Sequence, residues 1–336
     1  MQDLAQVLVA PGKGILAADE STGTIEKRFA AVGVESTETS RRDYRNMLFT
    51  TPGVEAFISG VILFDETMRQ ASDDGTPLPD LLTRRGIVPG VKVDRGTKAL
   101  AGAPGEKVTE GLDGLRERLA EYRELGARFT KWRAVIGIGS NRPTDYAIRV
   151  NAHALARFAA LSQEANLVPI VEPEVLMDGD HTVEKSFAAT CRTLQAVFTE
   201  LGAHGVQLEA MLLKPSMVLS GYECPEQATH EEVAEWTIRA MRRHVPAAVP
   251  GIVFLSGGQS DEDATGNLNA LNRAAGQPWQ LSFSFGRALQ AAALKAWAGD
   301  LANMPAAQRV FARRVAETGA ARSGTYSPLP RATATG

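Results

Sequence analysis

Short apolar runs rich in Val, Ile, Leu and Phe recur along the chain, at 14–18, 60–64, 88–93, 129–136, 167–175, 211–218, 251–255 and 279–285. Between most of them apolar residues return at helical spacing, over 114–125, 145–165, 183–201, 230–244 and 261–275. Runs of strand length alternating with amphipathic helices predict a parallel sheet. Eight such runs are the number that closes an α/β (β/α)8 TIM barrel. Further helical patterns at 25–31, 41–49, 287–297 and 305–318 predict extra flanking helices. Segments 71–86 and 95–111, rich in Gly, Pro, Asp and Thr, read as loops. No linker-like change of composition separates the strands, so one catalytic domain is expected over 1–321. A flexible tail is expected over 322–336.

The polar residues inside these runs fall on one parity. Lys131 and Arg133 share a face, as do Glu172 and Glu174, and Lys92 and Asp94. The first run is followed by Asp19-Glu20-Ser21, the seventh ends in Ser256-Gly257-Gly258, and the eighth in Ser284-Phe285-Gly286-Arg287. Charge thus gathers towards the C-terminal ends of the strands, where barrels of this kind keep their active sites. Arg133 and Glu172 alone could be a salt bridge filling the barrel. The same pattern repeated in strand after strand is hard to explain as packing, because each unpaired buried charge costs several kcal/mol.

Lys214 sits in Met211-Leu212-Leu213-Lys214-Pro215-Ser216-Met217-Val218, with apolar neighbours and no acidic residue within two positions. A lysine in a buried strand is paired or used. Desolvation favours the neutral amine, a nucleophile able to condense with a ketone. The bland alternative is a side chain snorkelling from a strand end. Gly257, Gly258 and Gly286 would let backbone N–H groups approach an anion, with Arg287 as clamp at a helix start. Lys27, Arg28 and Lys92 form a second cationic group. Two anion sites flanking an amine and carboxylates point to a sugar carrying phosphate at both ends.

The totals narrow the field. A net charge of −3 excludes a polycationic nucleic-acid binder. Two cysteines, Cys191 and Cys224, give no disulfide framework and favour a reducing cytoplasm. The N-terminal residues lack the basic-then-apolar order of a signal peptide, and no apolar run approaches the length of a membrane span. The five histidines, His153, His181, His204, His230 and His244, share no short-range spacing, so no histidine-bound metal and no cofactor is expected.

At this point the chain resembles the class I, Schiff-base fructose-1,6-bisphosphate aldolases. The likeness runs from about residue 16 to 298 and more weakly to 326. It is carried by LAADESTGTIEKR (16–28), GVKVDRG (90–96), KWR (131–133), VPIVEPEVLMDGDH (168–181), LLKPSM (212–217), FLSGGQS (254–260) and FSFGRALQ (283–290). The resemblance implies Lys214 as the Schiff-base lysine and Glu172 as acid/base, with Glu174, Lys131 and Asp19 orienting the lysine. It further implies Ser256, Gly257, Gly286 and Arg287 around the C1 phosphate, beside Gly258 and Ser284. Ser21, Thr24 and Lys92 would face the C6 phosphate, with Lys27, Arg28 and Arg133 nearby. The family usually has serine where Thr24 stands and tyrosine where Phe285 stands. No C-terminal tyrosine closes this sequence, which bears on how the enamine is protonated. The implied ligands are fructose 1,6-bisphosphate, dihydroxyacetone phosphate and glyceraldehyde 3-phosphate. The implied assembly is a homotetramer, without nucleic-acid or membrane partners. The rivals are another Schiff-base barrel such as a transaldolase, against which the two anion sites argue, and a non-catalytic phosphosugar-binding protein.

Overall fold

A computed structural model describes residues 1–274 and 276–327. Eight parallel strands close a barrel: β1 (Gly14–Ala18), β2 (Ile58–Leu63), β3 (Val88–Lys92), β4 (Phe129–Ile136), β5 (Val168–Val175), β6 (Leu212–Leu213), β7 (Gly251–Phe254) and β8 (Gln280–Phe285). Each pairs with its neighbour in sequence, and β1 closes on β8 with Ile15 opposite Ser284. The helices are α1 (Gln2–Leu8), α2 (Thr22–Ala30), α3 (Glu38–Thr50), α4 (Asp65–Met68), α5 (Leu78–Arg84) and α6 (Leu115–Glu124). They continue as α7 (Asp145–Glu164), α8 (Val183–Ala203), α9 (His230–His244), α10 (Asp261–Arg273), α11 (Arg287–Trp297) and α12 (Met304–Arg322). The predicted TIM barrel with extra flanking helices is the fold of the protein.

Alternation along β4 explains how one strand serves two layers. Trp132 and Ala134 face outward into the core between sheet and helices, where Trp132 stacks on Phe158 of α7. Phe129 faces inward with Ile15, Ile62, Val168, Ile170, Leu212 and Val253. This inner cluster fills only the N-terminal half of the barrel. Ala5, Leu8 and Val9 from α1 and its end close that half from below. The closure depends on missing side chains. A Cβ on Gly60 would lie 2.7 Å from Leu8 Cδ2, and one on Gly251 would lie 2.6 Å from Val9 Cγ1. With the lower half filled by apolar side chains, the charged residues of the same parity are left at the upper half.

The sequence reading departs from the structure in particular places. The run 211–218 is a ladder strand only at Leu212–Leu213. Pro215 has no N–H to donate, so the chain continues with single bonds instead: Lys214 N donates to Val171 O at 2.8 Å, and Leu255 N to Pro215 O at 3.1 Å. Helix α5 lies within a segment read as loop. Its proline is Pro79, in the first turn, where a missing N–H does no harm, and it buries Leu78 and Leu82. The other loop contains an antiparallel hairpin pairing Thr97–Ala99 with Lys107–Thr109. Helix α1 was not foreseen.

The first residues of the segment expected as a tail, 322–327, are described. Arg322 is the last residue of α12 and is buried, donating to Asn272 Oδ1 at 3.2 Å. Tyr326 N donates to Asn269 Oδ1 at 3.0 Å. The remainder, 328–336, lies outside the described residues.

Candidate active site

Strand register sets the site. Lys92 of β3 lies opposite Lys131 of β4, and Arg133 of β4 opposite Glu172 of β5. Val171 pairs with Leu213, so the next residues, Glu172 and Lys214, come side by side. Lys92, Lys131, Arg133, Glu172 and Lys214 open into a cavity of about 830 Å³ at the C-terminal mouth. That is the size of a small-molecule site. A larger groove of about 1070 Å³ lies outside the barrel between α9, α10 and Tyr326, and none of these residues lines it.

On the cavity floor four charges alternate in sign. Lys214 Nζ lies 3.1 Å from Glu172 Oε1, Glu172 Oε2 lies 3.2 Å from Lys131 Nζ, and Lys131 Nζ lies 2.6 Å from Asp19 Oδ2. Lys214, Lys131 and Glu172 are buried. Burial alone would push the Asp19 carboxyl up, but Lys131, Lys214 and Lys92 around it hold it down at about 2. Burial works against the Lys131 charge, yet Asp19, Glu172 and Asp94 together raise its pKa above the ordinary lysine value. Lys131 is thus a fixed cation held by two carboxylates, whereas Lys214 touches one.

Above this floor, Glu174 pairs with Arg133. Burial opposes the Arg133 charge and Glu174 outweighs it. Arg133 and Glu172, a possible packing pair by parity, do not pair: Arg133 takes Glu174, and Glu172 is left to the two lysines. Lys92 pairs with Asp94 at 2.8 Å, and Asp94 Oδ2 also accepts from Arg133 N at 3.2 Å.

The two ends of the cavity differ. At one end Ser256, Gly257, Gly258, Ser284, Gly286 and Arg287 line the wall. Gly257 and Gly258 have φ of +64° and +126°, open to glycine and strained for other residues. The Ser284 hydroxyl is buried and has no hydrogen-bond partner among the described residues. Arg287 starts α11, is exposed, and makes no ion pair among the described residues. An unsatisfied hydroxyl, a free guanidinium and a helix start together make a ready anion cradle. At the other end Ser21 Oγ and Thr24 Oγ1 lie 3.1 Å apart beside Lys92.

Two of the nominated cations behave differently from the rest. Arg28 lines the cavity but is paired with Glu20. Lys27, on the next position of α2, is exposed and does not line the cavity. Phe285 also lies away from the cavity, in the outer core against Phe283.

The supports of the site carry no signal in the sequence. Glu20 is fixed by Gln290 Nε2 at 3.0 Å, and its carbonyl accepts from Arg45 at 3.0 Å. Gln290 Nε2 also donates to Ala17 O at 2.7 Å, tying α11 to the end of β1. Asp94 was visible as a neighbour of Lys92 by parity but was not nominated. Glu20, Arg45 and Gln290 come from separate elements, and only folding joins them.

Comparison with known proteins places the chain in a family. The family model described as fructose-bisphosphate aldolase class-I matches residues 1–335. A protein of Xanthomonas axonopodis pv. citri named "Probable fructose-bisphosphate aldolase class 1" is 56% identical over 327 residues, covering 97% of this chain and 98% of that one. "Fructose-bisphosphate aldolase 6, cytosolic" of Arabidopsis thaliana is 55% identical over 323 residues, covering 96% and 90%. A crystal structure of fructose-bisphosphate aldolase from Plasmodium falciparum, in complex with TRAP and a small-molecule inhibitor, superposes with a TM-score of 0.96. It shares 48% identity and covers 98% of this chain and 95% of that chain.

Proposed function

From the premise that this chain belongs to the class-I fructose-bisphosphate aldolase family, we propose that Lys214 is its Schiff-base lysine and Glu172 the acid/base that serves it. The protein is a lyase of glycolysis. It reversibly cleaves fructose 1,6-bisphosphate to dihydroxyacetone phosphate and glyceraldehyde 3-phosphate through a lysine Schiff base. The observation that carries the residue assignment is the 3.1 Å contact between Lys214 Nζ and Glu172 Oε1 on the floor of the cavity.

A proton passes from Lys214 to Glu172 across their 3.1 Å contact, the neutral amine attacks the C2 carbonyl, and Glu172 hands that proton to the departing hydroxyl as the carbinolamine loses water. The resulting iminium accepts the electrons of the C3–C4 bond when the C4 hydroxyl gives its proton to Glu172. Glyceraldehyde 3-phosphate leaves. Protonation of the enamine at C3 and hydrolysis of the iminium then release dihydroxyacetone phosphate and restore the amine. Lys131 does not serve as nucleophile, because Asp19 and Glu172 hold it charged. Its role is to fix both carboxylates. The Ser256–Gly258 turn with Ser284, Gly286 and Arg287 takes the C1 phosphate. Ser21, Thr24 and Lys92 take the C6 phosphate, with Arg28 and Arg133 at the wall and Lys27 outside it.

Trapping with borohydride and dihydroxyacetone phosphate, followed by peptide mapping, tests the assignment. Label on Lys214, lost in Lys214→Met, is the expected result; label on Lys131 would overturn it. We further propose a cytoplasmic location, for which the name of the cytosolic Arabidopsis relative is the support, and a homotetrameric assembly, which rests on the family resemblance alone. Among the described residues no helix is long and apolar enough to cross a membrane. Light scattering after size exclusion would report the assembly.

A further inference from the structure

The histidines, scattered in sequence, do not stay scattered in space. His153 on α7 meets Glu200 in the last turn of α8 and His204, which caps that helix. One donor atom from each of the three lies within 4.8 Å of the others. His153 Nδ1 is 3.2 Å and His204 Nδ1 3.6 Å from Glu200 Oε2, and the two rings meet edge to face at 5.0 Å between centroids. We propose that His153, Glu200 and His204 bind one divalent ion of the zinc class, cross-linking α7 to α8 on the outside of the barrel.

The donor spacing fits. Ligands at zinc distances in tetrahedral geometry stand about 3.3 Å apart; His153 Nδ1 already stands 3.2 Å from Glu200 Oε2, and a ring nitrogen of His204 lies within 4.8 Å of both. Two imidazoles and one carboxylate are a borderline set that suits zinc, cobalt or nickel better than magnesium or calcium. His204 Nδ1 donates to the Glu200 carbonyl at 2.8 Å, which leaves Nε2 as its lone-pair nitrogen and fixes the ring, as partners of metal-bound histidines commonly do. The site stands at the C-terminal end of α8, where the helix dipole favours a cation. His153 is half exposed, so water can reach a fourth position. None of the three lines the active cavity, so the ion has no part in the aldol chemistry.

The test is a titration of chelator-treated protein with Co²⁺, read by its visible absorption, and with Zn²⁺, read by calorimetry. One equivalent per chain is expected, with a rise in Tm on Zn²⁺ addition. His153→Ala and Glu200→Gln should each weaken binding at least about tenfold. The His153→Ala/His204→Ala double variant should abolish both binding and the Tm rise while its circular dichroism and aldolase activity stay as in the parent. Binding that survives the double variant, or a cobalt–thiolate band from Cys191 or Cys224, would overturn the proposal. So would the lack of saturable binding in the parent chain.

Discussion

Glu172 faces two lysines at once: its Oε1 is 3.1 Å from Lys214 and its Oε2 is 3.2 Å from Lys131. One oxygen can exchange protons with the reacting amine while the other stays anchored to a cation that Asp19 also holds. Replacing Glu172 by Gln should therefore lower kcat by about 10²–10⁴-fold, the usual contribution of a positioned acid/base. Binding of dihydroxyacetone phosphate, measured by calorimetry, should change little. If trapping at Lys214 proceeds at the parental rate, Glu172 does not serve the dehydration.

The phosphate ends can be told apart by substrate. Arg287→Ala removes a guanidinium that has no internal ion pair to satisfy, so its loss should weaken fructose 1,6-bisphosphate binding by about 1.5–3 kcal/mol. Lys92→Ala should raise KM for fructose 1,6-bisphosphate more than for fructose 1-phosphate. Equal rises for both substrates would place Lys92 away from the C6 end.

Asp19 gives a pH signature. Its folded-state pKa of about 2 lies below its ordinary 3.8, so its contribution is present above the unfolded value and is lost as pH falls from about 4 to 2. Converted, that difference is about 2 kcal/mol. Urea unfolding across this range should show the loss in the parent chain. Asp19→Asn should lack that part of the acid limb and be less stable at neutral pH, because Lys131 is left with Glu172 alone.

Leu8 tests the separation of the two ends of the barrel. It is fully buried against the strands of the lower half. Leu8→Ala should cost about 2–5 kcal/mol of stability, read as a lower unfolding midpoint. The catalytic rate of the folded fraction should be unchanged, since the plug sits at the opposite end from Lys214.

Chelation should leave aldol cleavage intact. Among the described residues the active cavity is lined by no histidine, and the His153–Glu200–His204 cluster stands outside it. Loss of activity with EDTA, restored by Zn²⁺, would sink the organic mechanism.

What the sequence by itself determined was the class of fold and the parity of the site. Eight apolar runs alternating with helices predict a parallel sheet buried on both faces, and eight is the number that closes a barrel. The placement of Lys131, Arg133, Glu172 and Glu174 on one parity follows from the two-residue repeat of a strand, a local property that needs no tertiary knowledge. Lys214 stood out because an amine among Met, Leu and Val costs free energy unless it is paired or used. The tertiary structure decided the partners. Whether Arg133 meets Glu172 or Glu174 depends on register and side-chain reach across two strands, and no spacing within either strand encodes that. Glu20, Arg45 and Gln290 act together although they come from three elements, and Arg28 is a free cation in sequence but a paired one in space. Spacing rules did not bring His153 and His204 together because such rules search one element at a time. His153 and His204 are 51 positions apart and meet only because α7 and α8 pack side by side. Local periodicity is written into the chain; which charges neutralise one another is decided by the three-dimensional approach of elements far apart in it.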